Sequence, residues 1–493
     1  MSTLTPTPTA QVYELSVEVP QGEVIRYDLA KLCSALNVND PTRIAVETDG
    51  LRRALITVYP SNPLGVVRAV TRADLVMDRH GRIVTGLYHN GRPVKKRLFD
   101  PSTGSAQRFL LFGTTGAGKS RALQLELIAE KLNGVCTWLA DLKLGQSVPE
   151  ADGQVDWYAC SQEETILMLM AAVAVAQERM RRYSAAGRNS FALGGDPLLH
   201  VRIDEANRLL ERGAPYRDLA THLIKELGRT GRSVGVGIGL SAQASHLEEL
   251  GGSDTLRAMV KEGEVTLLRW SSSMMRQLVT DGLLPAGEQL MPIPKTLAPR
   301  ELRSQFDPEP DHDEDDAPGT QGMGYLLSGP RPTAMMRHLR LGSIAPLPGL
   351  DPDILALYGD DEPTRLEDIS HDVAGQAYAA RTDEEAMAEL CAAFHEAQQQ
   401  KLNAGRGPGR SAATEDGDAD DDGPSAPRKV RLDERVLAAL ADAEAPMSAD
   451  DVLDAVHADG GREVKLGSVR NALKKLADDG TLTRAGHGLY APA

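Results

Sequence analysis

The sequence has few aromatic residues, few cysteines and no long apolar run. Aromatic side chains make up 4% of its 493 residues, so its cores must be mainly aliphatic, and it has few rings for stacking on single-stranded nucleic acid. The four cysteines, Cys33, Cys136, Cys160 and Cys391, show no metal or redox spacing. This excludes a disulfide scaffold and favours a reducing cytoplasmic compartment.

The apolar runs are also too short for a membrane span. The longest, Ile166–Ala176, falls well below the roughly 20 residues that cross a bilayer and fits a buried helix. The first residues lack the basic and then apolar pattern of a signal peptide. We therefore expect a cytoplasmic chain without its own membrane segment, so that any membrane partner would be a separate protein.

Acidic residues outnumber basic ones by 70 to 54, so that the net charge is −16 and the pI is near 5.2. The acid is concentrated in three runs, Asp307–Asp316, Asp351–Asp372 and Glu415–Asp422, and the rest of the chain carries a small positive net charge. Such runs are usually solvated loops or tails. The overall charge therefore does not exclude nucleic acid as a partner of the folded parts.

The length allows two to four domains. Apolar strands alternate with amphipathic helices in the middle of the chain, which predicts an α/β fold with a parallel sheet covered on both faces. Within it, Lys119–Leu132 is predicted as a helix, and Met323–Leu327 and Ala334–Leu341 as edge strands. The predicted divisions are a tail 1–10, a small α+β domain 11–95, an α/β core 96–345, a polar helical segment 346–402, a disordered acidic linker 403–427 and a helical module 428–493.

One segment between an apolar strand and a helix matches the phosphate-loop pattern G-x-x-x-x-G-K-[ST]. Its residues are Gly113, Thr114, Thr115, Gly116, Ala117, Gly118, Lys119 and Ser120. The glycines let backbone N–H groups turn towards a phosphate chain, and the following helix adds its dipole. Lys119 is expected to contact the β and γ phosphates of ATP, and the Ser120 hydroxyl is expected to bind Mg²⁺. The alternative is a glycine-rich turn that matches by chance.

A second element follows about 85 residues later, where an apolar strand ends in Asp204-Glu205. This is the Walker B pattern, in which Asp204 would hold Mg²⁺ and Glu205 would orient or deprotonate the attacking water. An Asp-Glu pair after a strand can also be a simple helix cap. Gln243 ends the next strand, where it would sense the γ-phosphate or position water, or else bond only to backbone.

The central part of the chain resembles the FtsK/SpoIIIE double-stranded DNA translocases of the HerA–FtsK class. The resemblance covers roughly residues 100–345. It is carried by Asp141-Leu142-Lys143, by Glu178-Arg179-Met180-Arg181-Arg182-Tyr183 with Gly187-Arg188-Asn189, by Asp204-Glu205, by Arg232 with Gly235, by Gln243 and by Gly324-Tyr325-Leu326-Leu327. It implies a RecA-like P-loop ATPase that forms a hexameric ring around duplex DNA, with ATP sites between subunits.

The resemblance also implies an arginine that reaches the ATP site of the neighbouring subunit. The family's Arg-Pro-Ser after Thr-Gln is replaced here by Ala244-Ser245, and its later Thr-Arg segment reads Val265-Thr266-Leu267. Three candidates remain for this arginine, namely Arg232, Arg257 and Arg269, and Arg232 is the one assigned to the catalytic set. For each, a surface ion pair with a glutamate is an equal alternative.

The last 66 residues are predicted to form a winged helix. The third predicted helix, 467–478, has an apolar face, and its other face carries Arg470, Asn471, Lys474 and Lys475, with Lys465 before it and Arg484 in the wing. These residue types suit base edges and phosphates in a major groove. The DNA-binding set is therefore Lys465, Arg470, Asn471, Lys474 and Arg484. A protein-binding or structural winged helix is the alternative.

Together these features predict an ATP-dependent duplex-DNA translocase with a sequence-reading C-terminal module. A similar module ends the FtsK-type translocases and the related TraB conjugation motors of mycelial bacteria, which suggests plasmid or mobile-element transfer, with chromosome partitioning as the other task. The alternative class is an ATP-switched DNA-binding scaffold or transcription regulator that does not move.

Overall fold

The computed structural model of the protein describes residues 12–243, 253–269, 284, 290, 292–296, 319–345, 347–405, 432–441, 443, 445–458, 464, 466–479, 481–486 and 489–492. The chain forms two compact units, Met1–Gly407 and Pro408–Ala493, which are described separately. Across the described ranges, no helix combines the length and the apolar character that a membrane crossing requires.

The first unit begins with a small antiparallel sheet. Its elements are β1 Tyr13–Glu18, α1 Leu29–Ala35, a 3-10 turn Pro41–Arg43, β2 Ile44–Thr48 and β3 Arg53–Val58. The strand order is β1-β3-β2. Asp28 caps α1 by accepting a hydrogen bond from the Lys31 N–H at 3.1 Å, as expected for aspartate before a helix.

A sheet of ten strands forms the centre of this unit. The elements from residue 72 to residue 204 are α2 Arg72–Leu75, β4 Arg82–Tyr88, β5 Pro93–Arg97, β6 Phe99–Asp100, β7 Ser105–Ala106, β8 Arg108–Gly113, α3 Lys119–Leu132, β9 Cys136–Asp141, a 3-10 turn Pro149–Ala151, β10 Trp157–Ala159, α4 Gln162–Ala185 and β11 Leu199–Asp204. They are followed by α5 Asn207–Leu210, α6 Arg217–Thr230, a 3-10 turn Gly231–Val234, β12 Val236–Ala242, α7 Asp254–Lys261, β13 Glu264–Leu268, β14 Met323–Leu326 and β15 Met336–His338.

The strand order of the large sheet is β10-β9-β11-β12-β8-β13-β14-β15-β4-β5. The pairings from β10 to β13 are parallel, and those from β13 to β5 are antiparallel. Apolar side chains pack on both faces, with α3 on one and α4 and α6 on the other. The predicted α/β class with a mainly parallel, doubly covered sheet is confirmed, and the helix Lys119–Leu132 has the predicted bounds.

The structure differs from the prediction at the antiparallel side. Strands β14 and β15 were expected at an edge, but they lie inside the sheet because the β4-β5 hairpin pairs beyond them. Gly86 allows this approach, since a Cβ there would lie 2.5 Å from the Arg337 carbonyl oxygen. Residues 82–97 therefore belong to the large sheet, and the predicted division at residue 95 falls within β5.

Three further helices pack on the large sheet's unit, namely α8 Pro352–Tyr358, α9 Asp368–Ala379 and α10 Glu384–Gly405. Glu367, just before α9, accepts hydrogen bonds from buried Arg179 of α4 at 2.7 and 2.9 Å. Asp351, which caps α8, is 2% exposed. The acidic run Asp351–Asp372 is therefore partly buried and paired, which corrects the expectation of a solvated segment. The runs Asp307–Asp316 and Glu415–Asp422 lie outside the described residues.

Within the described residues from 432 to 492, the second unit has three helices and a three-stranded antiparallel sheet. Its elements are α11 Leu432–Ala441, β16 Met447–Ser448, α12 Ala449–Ala458, α13 Leu466–Asp478, β17 Leu482–Gly486 and β18 Leu489–Pro492, with strand order β16-β18-β17. The apolar spacing of α13 buries Val469, Leu473 and Leu476 against α11 and α12. Ser448 and Asp451 cap α12 reciprocally, with the Asp451 N–H donating to Ser448 Oγ at 3.3 Å.

Candidate nucleotide site

The loop between β8 and α3 has the backbone shape that a phosphate chain requires. Gly116 and Gly118 have φ values of 71° and 96°, in the left-handed region that glycine adopts without steric cost. A Cβ on Gly118 would lie 2.9 Å from the Gly322 nitrogen. Glycine is therefore required at this position both for the turn and for the close approach of the neighbouring chain segment.

Neighbouring segments hold this loop in place. Thr114 Oγ1 donates to the Arg269 carbonyl oxygen at 3.0 Å, and Arg269 Nη2 donates back to the Thr115 carbonyl oxygen at 2.8 Å. The Gly322 N–H donates to the Ala117 carbonyl oxygen at 2.9 Å. Because Arg269 is 7% exposed and bonded to its own chain's loop, the structure argues against it as an arginine supplied to another subunit.

The phosphate-loop lysine contacts both acids at the end of β11. Lys119 Nζ lies 3.2 Å from Asp204 Oδ1 and 2.7 Å from Glu205 Oε1. Parallel strands end at the same edge of a sheet, and for this reason groups that are 85 residues apart in sequence meet here. Lys119, Asp204 and Glu205 are thus brought together as the sequence predicts.

Glu205 is the centre of the cluster. In addition to its contact with Lys119, its carboxylate pairs with Lys143 Nζ at 2.8 Å and accepts a hydrogen bond from Gln243 Nε2 at 3.2 Å. Burial alone would raise the pKa of Glu205, but the hydrogen bonds and charges of Lys119 and Lys143 lower it to about 2. The carboxylate is therefore ionised and held by two cations in the structure described here. The contact of Gln243 with Glu205 favours a role at the site over a bond to backbone alone.

Lys143 is a site residue that the sequence analysis did not assign. It follows β9, and the buried carboxylate of Asp141 orders its loop by accepting hydrogen bonds from the Lys143 N–H at 3.0 Å and the Ser147 N–H at 2.7 Å. The Asp-Leu-Lys sequence was the available signal. It was noted as part of the family resemblance, but a contact between Lys143 and Glu205 is not visible in a local pattern.

The remaining predicted residues lie in several places. Ser120 is the second residue of α3. Arg232 lies in the 3-10 turn immediately before β12. Burial, together with the nearby charge of Arg232, lowers the pKa of Arg108. Since Arg108 begins β8, Arg232 is at the amino edge of the sheet, opposite its own chain's phosphate loop. Arg257 lies on α7.

In the second unit, Arg470, Asn471 and Lys474 are exposed on α13. Arg470 Nη2 lies 3.8 Å from Asp450 Oδ2 of α12, and both side chains are more than half exposed. Arg484 lies on β17, while Lys465 lies outside the described residues. The structure therefore places Arg470, Asn471 and Lys474 on the exposed side of one helix.

The oxygen donors beside Lys119 fit Mg²⁺. Asp204 is fully buried, and its Oδ2 has no hydrogen-bond partner within the part of the chain that the structure describes. A buried carboxylate oxygen without a partner is costly unless a cation or water satisfies it. Mg²⁺ prefers such oxygen ligands, and Asp204 with the Ser120 hydroxyl is the set that would hold it.

The ionised state of Glu205 has a consequence for acid stability. Because its pKa in the folded chain is about 2, below the ordinary 4.5, its pairing stabilises the fold above pH 4.5, and this contribution is lost as the pH falls towards 2. We expect the thermal midpoint of the ligand-free wild type to fall more steeply over this interval than that of Glu205→Gln. Midpoints measured across the interval test this, with Glu262→Gln at the far edge of the sheet as the control. Parallel curves for wild type and Glu205→Gln would contradict it.

No family model and no curated protein matches this chain. Among solved structures, the pCW3 conjugation coupling protein TcpA, in monomer form with ATPγS, is 15% identical with a TM-score of 0.43, over 69% of this chain and 88% of that one. The cytoplasmic domain of the Thermomonospora curvata type VII secretion ATPase EccC is 21% identical with a TM-score of 0.41, over 67% and 34%. EssC (ATPases 2 and 3) from Geobacillus thermodenitrificans is 13% identical with a TM-score of 0.37, over 67% and 52%.

Two of these neighbours are described as ATPases, and the TcpA structure contains ATPγS. This chain spans only about a third of the EccC chain and half of the EssC chain. With TM-scores below 0.5 and identities of 21% or less, the likeness does not decide the function, which has to be argued from the residues of the site.

Proposed function

We propose that this chain is an ATP-hydrolysing motor of the FtsK/SpoIIIE type that translocates double-stranded DNA. The observation that carries the proposal is the cluster of Lys119, Asp204, Glu205 and Gln243 at the carboxyl edge of a parallel sheet, beside a glycine loop with two left-handed positions. This set supplies a phosphate cradle, a cation, a metal-binding acid and a general base.

The contacts of Lys119 suggest how the site responds to ATP. When the triphosphate occupies the loop, its charge competes with Glu205 for Lys119, and Lys119 turns to the β and γ phosphates. Glu205 then keeps Lys143 and Gln243 and is free to orient the attacking water and accept its proton. When Mg²⁺ is bound through Ser120 and Asp204, it supplies neutralisation of the phosphate charge.

Assembly into a ring would complete the site. Arg232 lies at the sheet edge opposite its own phosphate loop, so it can act on ATP only in a neighbouring subunit. In a homohexamer of the family type, this arginine would stabilise the charge on the transferred phosphoryl group and couple hydrolysis to subunit movement.

The second unit supplies the DNA-reading part of the proposal. The elements of this unit follow the order helix, strand, helix, helix, strand, strand, which is the order of a winged helix. Arg470, Asn471 and Lys474 lie on the exposed side of α13, where arginine can read guanine and asparagine can read adenine in a major groove. We assign Lys465 and Arg484 to the same interface. We also propose that the protein acts in the cytoplasm. Transfer of a plasmid or another mobile element is the task we favour.

Stimulation by duplex DNA tests the proposal. We expect the ATP turnover of the full chain to rise at least roughly tenfold with duplex, because a motor couples hydrolysis to its track. The same preparation should displace a triplex-forming strand from duplex, and Glu205→Gln should displace none. Turnover without stimulation or displacement would favour an ATP-switched scaffold or regulator.

The Arg470→Ala variant tests whether Arg470 reads bases. If this variant loses duplex binding to the same extent on every sequence, Arg470 is a phosphate contact and not a base reader.

A further inference from the structure

Strand β12 carries glycine at two alternate positions, 237 and 239, and the neighbouring strand explains this spacing. Gly237 and Gly239 pair with His200 and Arg202 of β11. A Cβ on Gly237 would lie 2.7 Å from His200 Cδ2, and a Cβ on Gly239 would lie 2.7 Å from Arg202 Nη1. The two glycines therefore make room for two polar side chains that are only 0% and 2% exposed.

These side chains meet two carboxylates of α3, the helix that follows the phosphate loop. Arg202 donates to Glu130 Oε1 through Nε at 2.8 Å and also through Nη2. The same Nη2 lies 3.2 Å from Oε2 of the second carboxylate, Glu126. His200 Nδ1 lies 2.8 Å from Glu130 Oε1. Burial alone would raise the pKa of Glu130, but the charge and hydrogen bonds of Arg202, together with the contact of His200, lower it to about 2.

Lys96 of β5 balances the remaining charge. Its Nζ lies 2.5 Å from Glu126 Oε1 and 3.2 Å from Thr266 Oγ1. The Arg202 guanidinium lies 3.5 Å from the centre of the Phe109 ring, a cation–π contact with β8. The buried cluster thus contains two cations and two carboxylates. Apolar side chains of similar size often stabilise a fold as well as such a cluster does, so what this cluster adds is a fixed geometry.

The geometry is a series of contacts along α3 and β11. Residues 200, 202 and 204 share one face of β11 because side chains alternate along a strand. The strand runs towards the site and the helix runs away from it, so that Asp204 meets Lys119 at the near end while Arg202 and His200 meet Glu126 and Glu130 further along. A shift of the helix along the strand would break every one of these contacts.

We infer that the inner contacts of this series fix the position of Asp204 and Glu205 relative to the phosphate loop. Arg202 and Glu130 are then positioning residues for ATP hydrolysis, an inference that rests on the proposed function. When ATP draws Lys119 away from the acids, the contact between Lys119 and Asp204 is lost. The contacts of Arg202 and His200 with the α3 carboxylates then keep α3 and β11 aligned. Misplacement of catalytic groups by about 1 Å can lower a rate roughly 10²-fold.

Two variants disturb the cluster in different ways. Arg202→Met removes a charge, whereas Gly239→Ala keeps every charge and pushes Arg202 aside. Arg381→Met is the matched control for the first, because the Arg381 side chain is only 9% exposed and pairs at 2.9 Å with Asp156, which precedes β10 at the edge of the sheet. Gly228→Ala on α6 is the control for the second, since its Cβ would meet the side chain of Met259, whose carbonyl oxygen contacts Arg108 at the sheet edge opposite the phosphate loop.

For the full chain we expect Arg202→Met and Gly239→Ala to lower kcat at least roughly tenfold while ATP affinity without Mg²⁺ stays within about twofold of wild type. The gain in ATP affinity on adding Mg²⁺ should also fall, because Asp204 is displaced from Ser120. The controls should lower the thermal midpoint by a similar amount and keep kcat within about twofold. The kcat of Arg202→Lys should lie between those of wild type and Arg202→Met, because lysine keeps the positive charge but cannot make the bidentate contact.

The inference is overturned if the cluster variants and their controls lose kcat equally, since the cluster then only stabilises the fold. Should Arg202→Met fail to fold, Gly239→Ala and Arg202→Lys decide the question. A wild type that binds ATP without hydrolysing it would overturn the proposed function instead. In that case the Mg²⁺-dependent gain in affinity still tests the inference, and an unchanged gain in Gly239→Ala would reject it.

Discussion

Replacing Lys119 with alanine is expected to abolish ATP turnover and to leave duplex binding by residues 428–493 intact. Lys119 is the cation at the phosphate loop that contacts Asp204 at 3.2 Å and Glu205 at 2.7 Å. Removal of one preorganised charge from a transition state typically lowers kcat by roughly 10²–10³-fold. Steady-state ATPase rates and a fluorescent-duplex binding assay measure the two halves of this expectation on the same full chain.

Lys119→Arg separates the charge from the shape of the side chain. In the alanine variant, buried Asp204 and Glu205 lose a partner, which should lower the thermal midpoint as well. Arginine keeps a positive charge beside both acids but presents a planar fork where a compact ammonium is needed. We therefore expect Lys119→Arg to be inactive with a near wild-type midpoint. If Lys119→Ala loses duplex binding as well as turnover in a folded chain, the division into an ATPase and a DNA-reading unit is wrong.

Replacing Glu205 with glutamine is expected to stop hydrolysis and at the same time to tighten ATP binding. General bases contribute roughly 10²–10⁴-fold to a rate, so kcat should fall by that order. In the free protein, the ionised Glu205 competes with ATP for Lys119, because its pKa of about 2 keeps it charged at neutral pH. Neutral glutamine competes less well, and we expect ATP affinity to rise several-fold.

Equilibrium binding of ATP and single-turnover hydrolysis measure these effects separately. Glu262→Gln serves as the control, since Glu262 is exposed and pairs with Arg108 at the opposite edge of the sheet. It should change neither quantity by more than about twofold. Weaker ATP binding in Glu205→Gln would show that Glu205 assists Lys119 in binding phosphate and does not compete with the phosphate for it.

Much of the site is predictable because it depends on short patterns. A glycine loop between a strand and a helix needs only local sequence, and the bounds of α3 follow from apolar periodicity up to Leu132. The meeting of Lys119 with Asp204 and Glu205 follows from one further rule, that parallel strands end at a common edge. Lys143 escaped assignment because no local pattern shows that its ammonium group contacts Glu205.

The parts that could not be predicted depend on pairings between distant segments. The addition of β4 and β5 to the sheet requires β15 to accept a partner about 250 residues earlier in the chain. Polar residues after β15 suggested a solvated segment, yet Arg381 is paired with buried Asp156, and Glu367 with Arg179. Polarity alone does not distinguish a side chain that faces water from one whose partner lies on a remote helix.

The backbone of Glu205 has a consequence for how this site tolerates mutation. Its φ of 52° places a long side chain in the left-handed region, where residues other than glycine, asparagine and aspartate pay roughly 1–2 kcal/mol. Glycine at this position would relieve that strain and remove the base. That substitution would also leave Lys119 and Lys143 without their shared carboxylate, so the strained backbone of Glu205 is the local energetic cost of holding one carboxylate between two cations at the end of β11.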